Sequence, residues 1–257
     1  MMQRTPVGLL LILAVVLGAV FVFRAFTRTH SDWPSRGDSV HCVLMWGLWD
    51  ASPFPHESLV NLLSSDFGYP STVHGPDSVQ NALAAYAQEN GPDILDCYAS
   101  LRRNVSKADL GRYLIVYEQG GLYLDNDVRL HRRLLSAEWT DPRGVWVLEY
   151  FFPIEELSTR MRQEPAAERV ANYAFGSSSP RLPALRAIIE ECIQRTRVLS
   201  SVETWSDDDV LWVCGPDVVS VVCQRMPHLF STRLNDFCEH TCQGTWLRGR
   251  DVSVFET

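Results

Sequence analysis

Apolar positions along the chain fall into a few segments with distinct periods. Residues 7–23 form an uncharged, almost wholly apolar run, with Arg4 before it and Arg24 and Arg28 after it. The run reads as a short signal anchor suited to a thinner bilayer, favoured over its rival, a cleaved signal peptide, because no small-x-small site follows its bulky end at Phe21, Val22 and Phe23. The expected organisation is a cytoplasmic tail over 1–6, a transmembrane helix over 7–23, a polar stem over 24–39 and one domain over 40–257. That order predicts a single-pass protein of the Golgi or endoplasmic reticulum membrane with its domain in the lumen. Within the domain, Val40–Trp46 is too continuously apolar for a surface strand and predicts a central one. Helical patterns follow at His56–Leu63 and Ser78–Ala87, the first being the crossover of a right-handed βαβ start. Leu110, Tyr113, Leu114 and Tyr117 fall at i, i+3, i+4 and i+7, which is one apolar helical face. Ser106 is placed to cap this helix, and Gly120-Gly121 to end it in a positive-φ conformation. Leu122–Leu124 then enters a strand, and the chain leaves the sheet at Asp125.

Composition narrows the partners. The 257 residues are 46% hydrophobic and 21% charged, enough for one sizeable α/β domain. A formal net charge of -8 argues against nucleic acid, whose phosphates call for a basic excess. Seven cysteines in a lumenal domain predict some disulfide pairing, with connectivity open. Cys238 and Cys242 frame His240, but no second Cys/His pair at finger spacing accompanies them, so a structural zinc site is set aside. Asn104-Val105-Ser106 is a glycosylation sequon that is expected to go unused, its serine being the proposed cap. Asp207-Asp208-Asp209 reads as a solvated or helix-capping run, and Arg129, His131, Arg132 and Arg133 as a basic face.

Candidate chemistry concentrates at Asp125 and Asp127. Strand ends of open α/β sheets are where ligands sit, and two carboxylates that close are costly without a cation or strong donors between them. A divalent cation there would neutralise the diphosphate of a nucleotide sugar as the glycosidic bond breaks. Two rivals share the motif. A calcium loop needs Gly at its sixth position and Glu at its twelfth, where Leu130 and Ser136 stand. A haloacid-dehalogenase phosphatase would use Asp125 as its nucleophile, but that motif normally opens the domain and has Thr or Val at the place of Arg129.

The segments KADLGRY (107–113) and GGLYLDNDV (120–128) resemble the DxD region of glycosyltransferase family 32, which includes the initiating α-1,6-mannosyltransferase and the inositol phosphoceramide mannosyltransferases. Weaker likenesses extend this: Val43–Trp46 to the first strand, NYAFGSSSP (172–180) to the N-x-hydrophobic-small-P segment, Cys214-Gly215-Pro216 to the T-G-P turn, and HTCQGTW (240–246) to the closing segment. The resemblance implies a GT-A type, Rossmann-like α/β sandwich with a mostly parallel central sheet. It implies retaining transfer of a hexose, first mannose from GDP-mannose, to a glycan or glycolipid acceptor, with Mn2+ or Mg2+. Carried over by position, Asp125, Asp127 and Arg112 are catalytic, and Asp125, Asp127 and His240 hold the metal. Trp46 stacks on the base, Asp109, Arg112 and Asn172 contact the donor, and Thr245 and Trp246 close over the diphosphate. Asp109 also fits a capping box with Ser106, and Asn172 also fits a buried structural role. No residue declares itself as a covalent nucleophile, which favours front-face attack. The alternatives are the phosphatase and a non-catalytic sugar-binding relative.

Overall fold

The computed structural model describes residues 39–43, 45, 71–149 and 168–240. All of them belong to one unit, Arg36–Thr257. A six-stranded sheet organises it, in the order β2-β1-β3-β6-β5-β7. Its strands are β1 Val40–Val43, β2 Ser71–His74, β3 Gly121–Leu124, β5 Val145–Glu149, β6 Arg169–Ser177 and β7 Arg233–Leu234. β1 runs parallel to β2 and β3, and β5 parallel to β7, whereas β6 pairs antiparallel with both β3 and β5. β6 is therefore the one reversed strand of a mixed sheet. A second, two-stranded sheet joins β4 Val128–Leu130 to β8 Cys238–His240.

The helices in order are α1 Pro76–Asn90, α2 Asp93–Ser100, α3 Asn104–Gln119, α4 Ser136–Trp139, α5 Pro183–Val198, α6 Asp207–Val213 and α7 Pro216–Arg225. Pro76 at the start of α1 and Asp77 in its first turn are residues a helix N-terminus accepts without loss, since proline lacks only an N–H that would be unpaired there. α3 is the central helix. Leu110, Tyr113, Leu114 and Tyr117 are buried as their spacing requires, but so are Val105, Ala108, Ile115 and Val116 on other faces. The reason is its position, packed against α1, α5, β1 and β3 together. Gly111 permits that approach, because a Cβ there would lie 3.0 Å from Val79 Cγ2 of α1.

Two apolar clusters cover the two faces of the sheet. On the helical side, Tyr123 of β3, Phe175 of β6 and Trp146 of β5 form a row of rings, with centroids 5.4 Å apart for Tyr123–Phe175 and 5.7 Å for Trp146–Phe175. On the other side, Val40, Cys42, Leu122 and Leu124 pack with Val128, Leu130 and Phe237, so the small sheet forms the second layer. The alternation Leu122/Tyr123/Leu124 sends successive side chains to opposite clusters, the period-two rule of a strand buried on both faces.

Several expectations need correction. Among the described residues no helix is long and apolar enough to cross a membrane. This overturns the fold reading that began with a transmembrane helix, the membrane as a partner, and the single-pass Golgi or endoplasmic reticulum placement built on it. The run 7–23 itself lies outside the described residues. Ser106 is not the cap of α3: the helix begins at Asn104 after extended Arg103, without a side-chain capping bond, and Ser106 is fully buried. That also removes the capping-box reading of Asp109. The first strand ends at Val43, and Trp46 and the helix expected at His56–Leu63 lie outside the described residues. Cys42, Cys97, Cys192, Cys214, Cys223 and Cys238 are all free thiols, against the expected pairing. Asp207-Asp208-Asp209 does cap a helix: Ser206 and Asp209 form a reciprocal capping box at the start of α6.

Candidate functional site

The site is assembled at the end of β3. Gly120 (φ 69°) and Gly121 (φ 94°) turn the chain from α3 into this strand in a conformation that only glycine adopts without strain. Gly121 has no room for a side chain in any case, since a Cβ would fall 2.3 Å from His41 Nε2. After Leu124 the Asp125 amide donates to the Tyr173 carbonyl of β6 (2.8 Å), and a turn closes with Val128 N donating to Asp125 O (3.0 Å). β4 then departs to pair with β8, in a register that sets Val128 opposite His240. This pairing brings a residue from far along the chain beside Asp127. Nε2 of His240 lies 3.2 Å from Asp127 Oδ1.

Asp125, Asp127 and His240 thus form a cluster whose ligand atoms all lie within 4.8 Å of one another. The side chains are 23%, 12% and 22% exposed, open enough to meet a ligand. The donor set is two carboxylates and an imidazole, a combination that suits Mn2+ better than Mg2+, which prefers oxygen alone. The DxD pair does not act alone here: the group that could hold a metal is an Asp-Asp-His triad, which corrects a membrane-anchored enzyme whose metal dependence rests on the DxD.

Behind the triad lies a buried polar network. Arg112 of α3 places Nη2 2.8 Å from Asp109 Oδ1, one turn earlier on the helix. Its Nη1 lies 3.2 Å from both carboxylate oxygens of Asp125 and donates to the Asn172 carbonyl at 3.0 Å. Asn172 Nδ2 donates to Asp109 Oδ1 at 3.0 Å. The guanidinium also sits 4.9 Å over the ring of Tyr123, whose hydroxyl donates to Asp125. Asp109, Arg112 and Asn172 are all buried, so the structure brings together three of the expected donor contacts as a closed set supporting Asp125. Trp46, Thr245 and Trp246 lie outside the described residues.

Electrostatics follow from this packing. Burial raises the Asp125 pKa, against the opposing pull of Arg112 and of the Tyr123 hydrogen bond, with Asp127 pushing in the same direction as burial. At His240, burial works to lower the pKa, but the Asp127 hydrogen bond and charge, with Asp125 and Glu149 adding, raise it overall. Both shifts favour a positive charge beside the triad, whether a proton or a cation.

Residues with no local signature complete the picture. Tyr123 and Tyr173 both touch the cluster, and only the tertiary arrangement shows it. The basic run beyond the DxD is partly internal: Arg132 pairs with both oxygens of Glu138 (2.7 and 2.8 Å) and with Asp236 (3.0 Å). On the other side of β3, His41 Nδ1 and His74 Nε2 meet at 2.9 Å, both rings buried.

Comparison with known proteins agrees with this geometry at the level of fold and module. Residues 57–146 match a family model described as a glycosyltransferase sugar-binding region containing a DXD motif, a segment that includes Asp109, Arg112, Asp125 and Asp127. No curated protein matches the chain. A solved structure titled PaToxG Glycosyltransferase is similar in fold, with a TM-score of 0.51 and 13% identity over 75% of this chain and 70% of that one. These likenesses do not extend to the mannosyltransferases that the DxD segment resembles. The chain carries a glycosyltransferase-like sugar-binding module on a mixed α/β sheet consistent with a GT-A-like fold.

Proposed function

We propose that this chain is a glycosyltransferase that moves a hexose from a nucleotide-sugar donor to a carbohydrate-bearing acceptor. One observation carries the reading. The β3 end and β8 converge so that Asp125, Asp127 and His240 can share one divalent cation, within a domain whose segment 57–146 matches a sugar-binding region. Bound there, Mn2+ would supply charge neutralisation for the diphosphate leaving group. The chain's own residues do the rest. Arg112 and the Tyr123 hydroxyl aim Asp125 and favour its ionised form, against burial, which opposes its charge. Asn172 and Arg112 fix the buried Asp109 carboxylate, so that the three hold one another in place behind Asp125. Trp46 on the base, and Thr245 with Trp246 over the diphosphate, belong to the same proposal.

The test is calorimetric titration with nucleoside diphosphates, with Mn2+ and then with a chelator. GDP is the first to try, given the DxD segment's resemblance to mannosyltransferases, followed by UDP. Binding that needs both Mn2+ and Asp127 is expected. Diphosphate binding indifferent to the cation, or release of phosphate from simple phosphomonoesters, would sink the proposal.

A further inference from the structure

We infer that Tyr173 is the positioning residue that fixes the imidazole of His240 for the cation, an inference that rests on the reading of Asp125, Asp127 and His240 as a cation site. The Tyr173 and His240 rings are stacked, with centroids 4.2 Å apart and planes 28° from parallel. Tyr173 is itself buried, and its carbonyl accepts the Asp125 amide at 2.8 Å. One residue of the reversed strand thus reaches two members of the triad, Asp125 through its backbone and His240 through its ring.

A histidine ligand needs this support because strand pairing fixes its backbone and not its ring. His240 is held in register opposite Val128, at the end of a three-residue strand, and this pairing leaves the plane of its imidazole to be set by side-chain contacts. The Asp127 hydrogen bond at Nε2 restrains the ring only while a proton lies between them, and a cation bound at the triad would take that proton's place. A stacked aromatic face restrains the ring in either state. Tyrosine suits the task, since it is flat, has two side-chain torsions and loses little entropy on burial. The division of labour is visible in β6. Where its pairing with β5 is irregular, between Trp146 and Leu148, Asn172 turns to Asp109 on the helical side and Tyr173 turns to His240 on the other. Loss of a group that orients a ligand typically weakens metal binding by about ten- to a hundredfold.

The experiment is Mn2+ binding to the full chain without substrate, read from the paramagnetic resonance of the free ion, for wild type, Tyr173→Phe and Tyr173→Leu. Wild-type affinity in Tyr173→Phe and a loss of about tenfold or more in Tyr173→Leu are expected. Equal affinity in wild type and Tyr173→Leu would overturn this inference and leave the triad standing. An equal loss in Tyr173→Phe would assign the effect to the hydroxyl and overturn the stacking role. A wild type that takes up no Mn2+ would overturn the triad itself, and this inference with it. Proton resonances of the His240 ring give a second readout that needs no metal and no variant: they are expected to be shielded by the Tyr173 ring current, and unshielded shifts would refute the stack even if Tyr173→Leu failed to fold.

Discussion

Arg112→Met is the substitution that bears most heavily on the buried network. Methionine keeps much of the side chain's apolar stem and removes the guanidinium. Three polar contacts vanish together, to Asp109 at 2.8 Å, to Asp125 at 3.2 Å and to the Asn172 carbonyl at 3.0 Å, along with the approach to the Tyr123 ring. Asp109 then becomes a carboxylate only 7% exposed that has lost its guanidinium partner and keeps the contact with Asn172 Nδ2. Breaking a buried pair in this way costs about 3–5 kcal/mol, mostly from the charge left behind, and Asp125 adds little because it is partly hydrated. Urea unfolding at neutral pH is the assay, chosen because urea does not screen charge as guanidinium does. The double variant Arg112→Met with Asp109→Asn removes the orphaned charge and is expected to recover about half of the loss or more. A single variant within about 1 kcal/mol of wild type would refute the reasoning. A double variant no more stable than the single would do so equally.

Three further outcomes are expected. Gly121→Ala is destabilised by about 3 kcal/mol or more, because φ of 94° strains any side chain and its Cβ would meet His41 Nε2 at 2.3 Å and the Ser39 carbonyl at 2.7 Å; a thermal midpoint equal to wild type would contradict this. Burial, and then the neighbouring His74, lower the His41 pKa from 6.5 to about 4. The unfolded chain therefore binds a proton that the folded chain refuses between those values, so this contribution to stability is complete above pH 6.5 and falls, by up to about 3 kcal/mol, as pH drops toward 4. Subtracting the unfolding curve of His41→Asn from that of wild type isolates the term from the raised Asp125 and His240, and a pH-independent difference would rule it out. Ser206→Ala loses about 1 kcal/mol in the same urea assay, since its hydroxyl accepts the Asp209 amide at 3.2 Å in the capping box of α6; no measurable loss would mean the box is not formed in solution.

The stretch from Leu110 to Asp127 was legible because its signals are local. A helical repeat, two glycines that need positive φ, a short apolar strand and two carboxylates lie in unbroken order, and each element restrains its neighbour. His240 stood out locally only as the residue between Cys238 and Cys242, and it entered the reading as a partner of the aspartates through resemblance alone. Nothing near it announces a partner, and its place beside Asp127 depends on the pairing of β4 with β8, set by residues far apart in the chain. Tyr173 carried no signal, because a tyrosine in an apolar strand looks the same whether it fills a core or stacks on a ligand. The His41–His74 pair was silent for a similar reason: each histidine sits in a separate strand, and only parallel pairing brings Nδ1 of one within 2.9 Å of Nε2 of the other. Ser106 misled because a serine near a helix start resembles a cap, and packing drew it inside instead. The apolar run at 7–23 invited a membrane reading that no described helix supports.

The most direct measurement is release of nucleoside diphosphate from nucleotide sugars, by wild type, Asp127→Ala and His240→Ala, with Mn2+ present and then chelated. Release is expected from at least one donor, with the chelator abolishing it, Asp127→Ala removing it, and His240→Ala lowering it about tenfold or more. Release that survives both the chelator and Asp127→Ala would contradict the account.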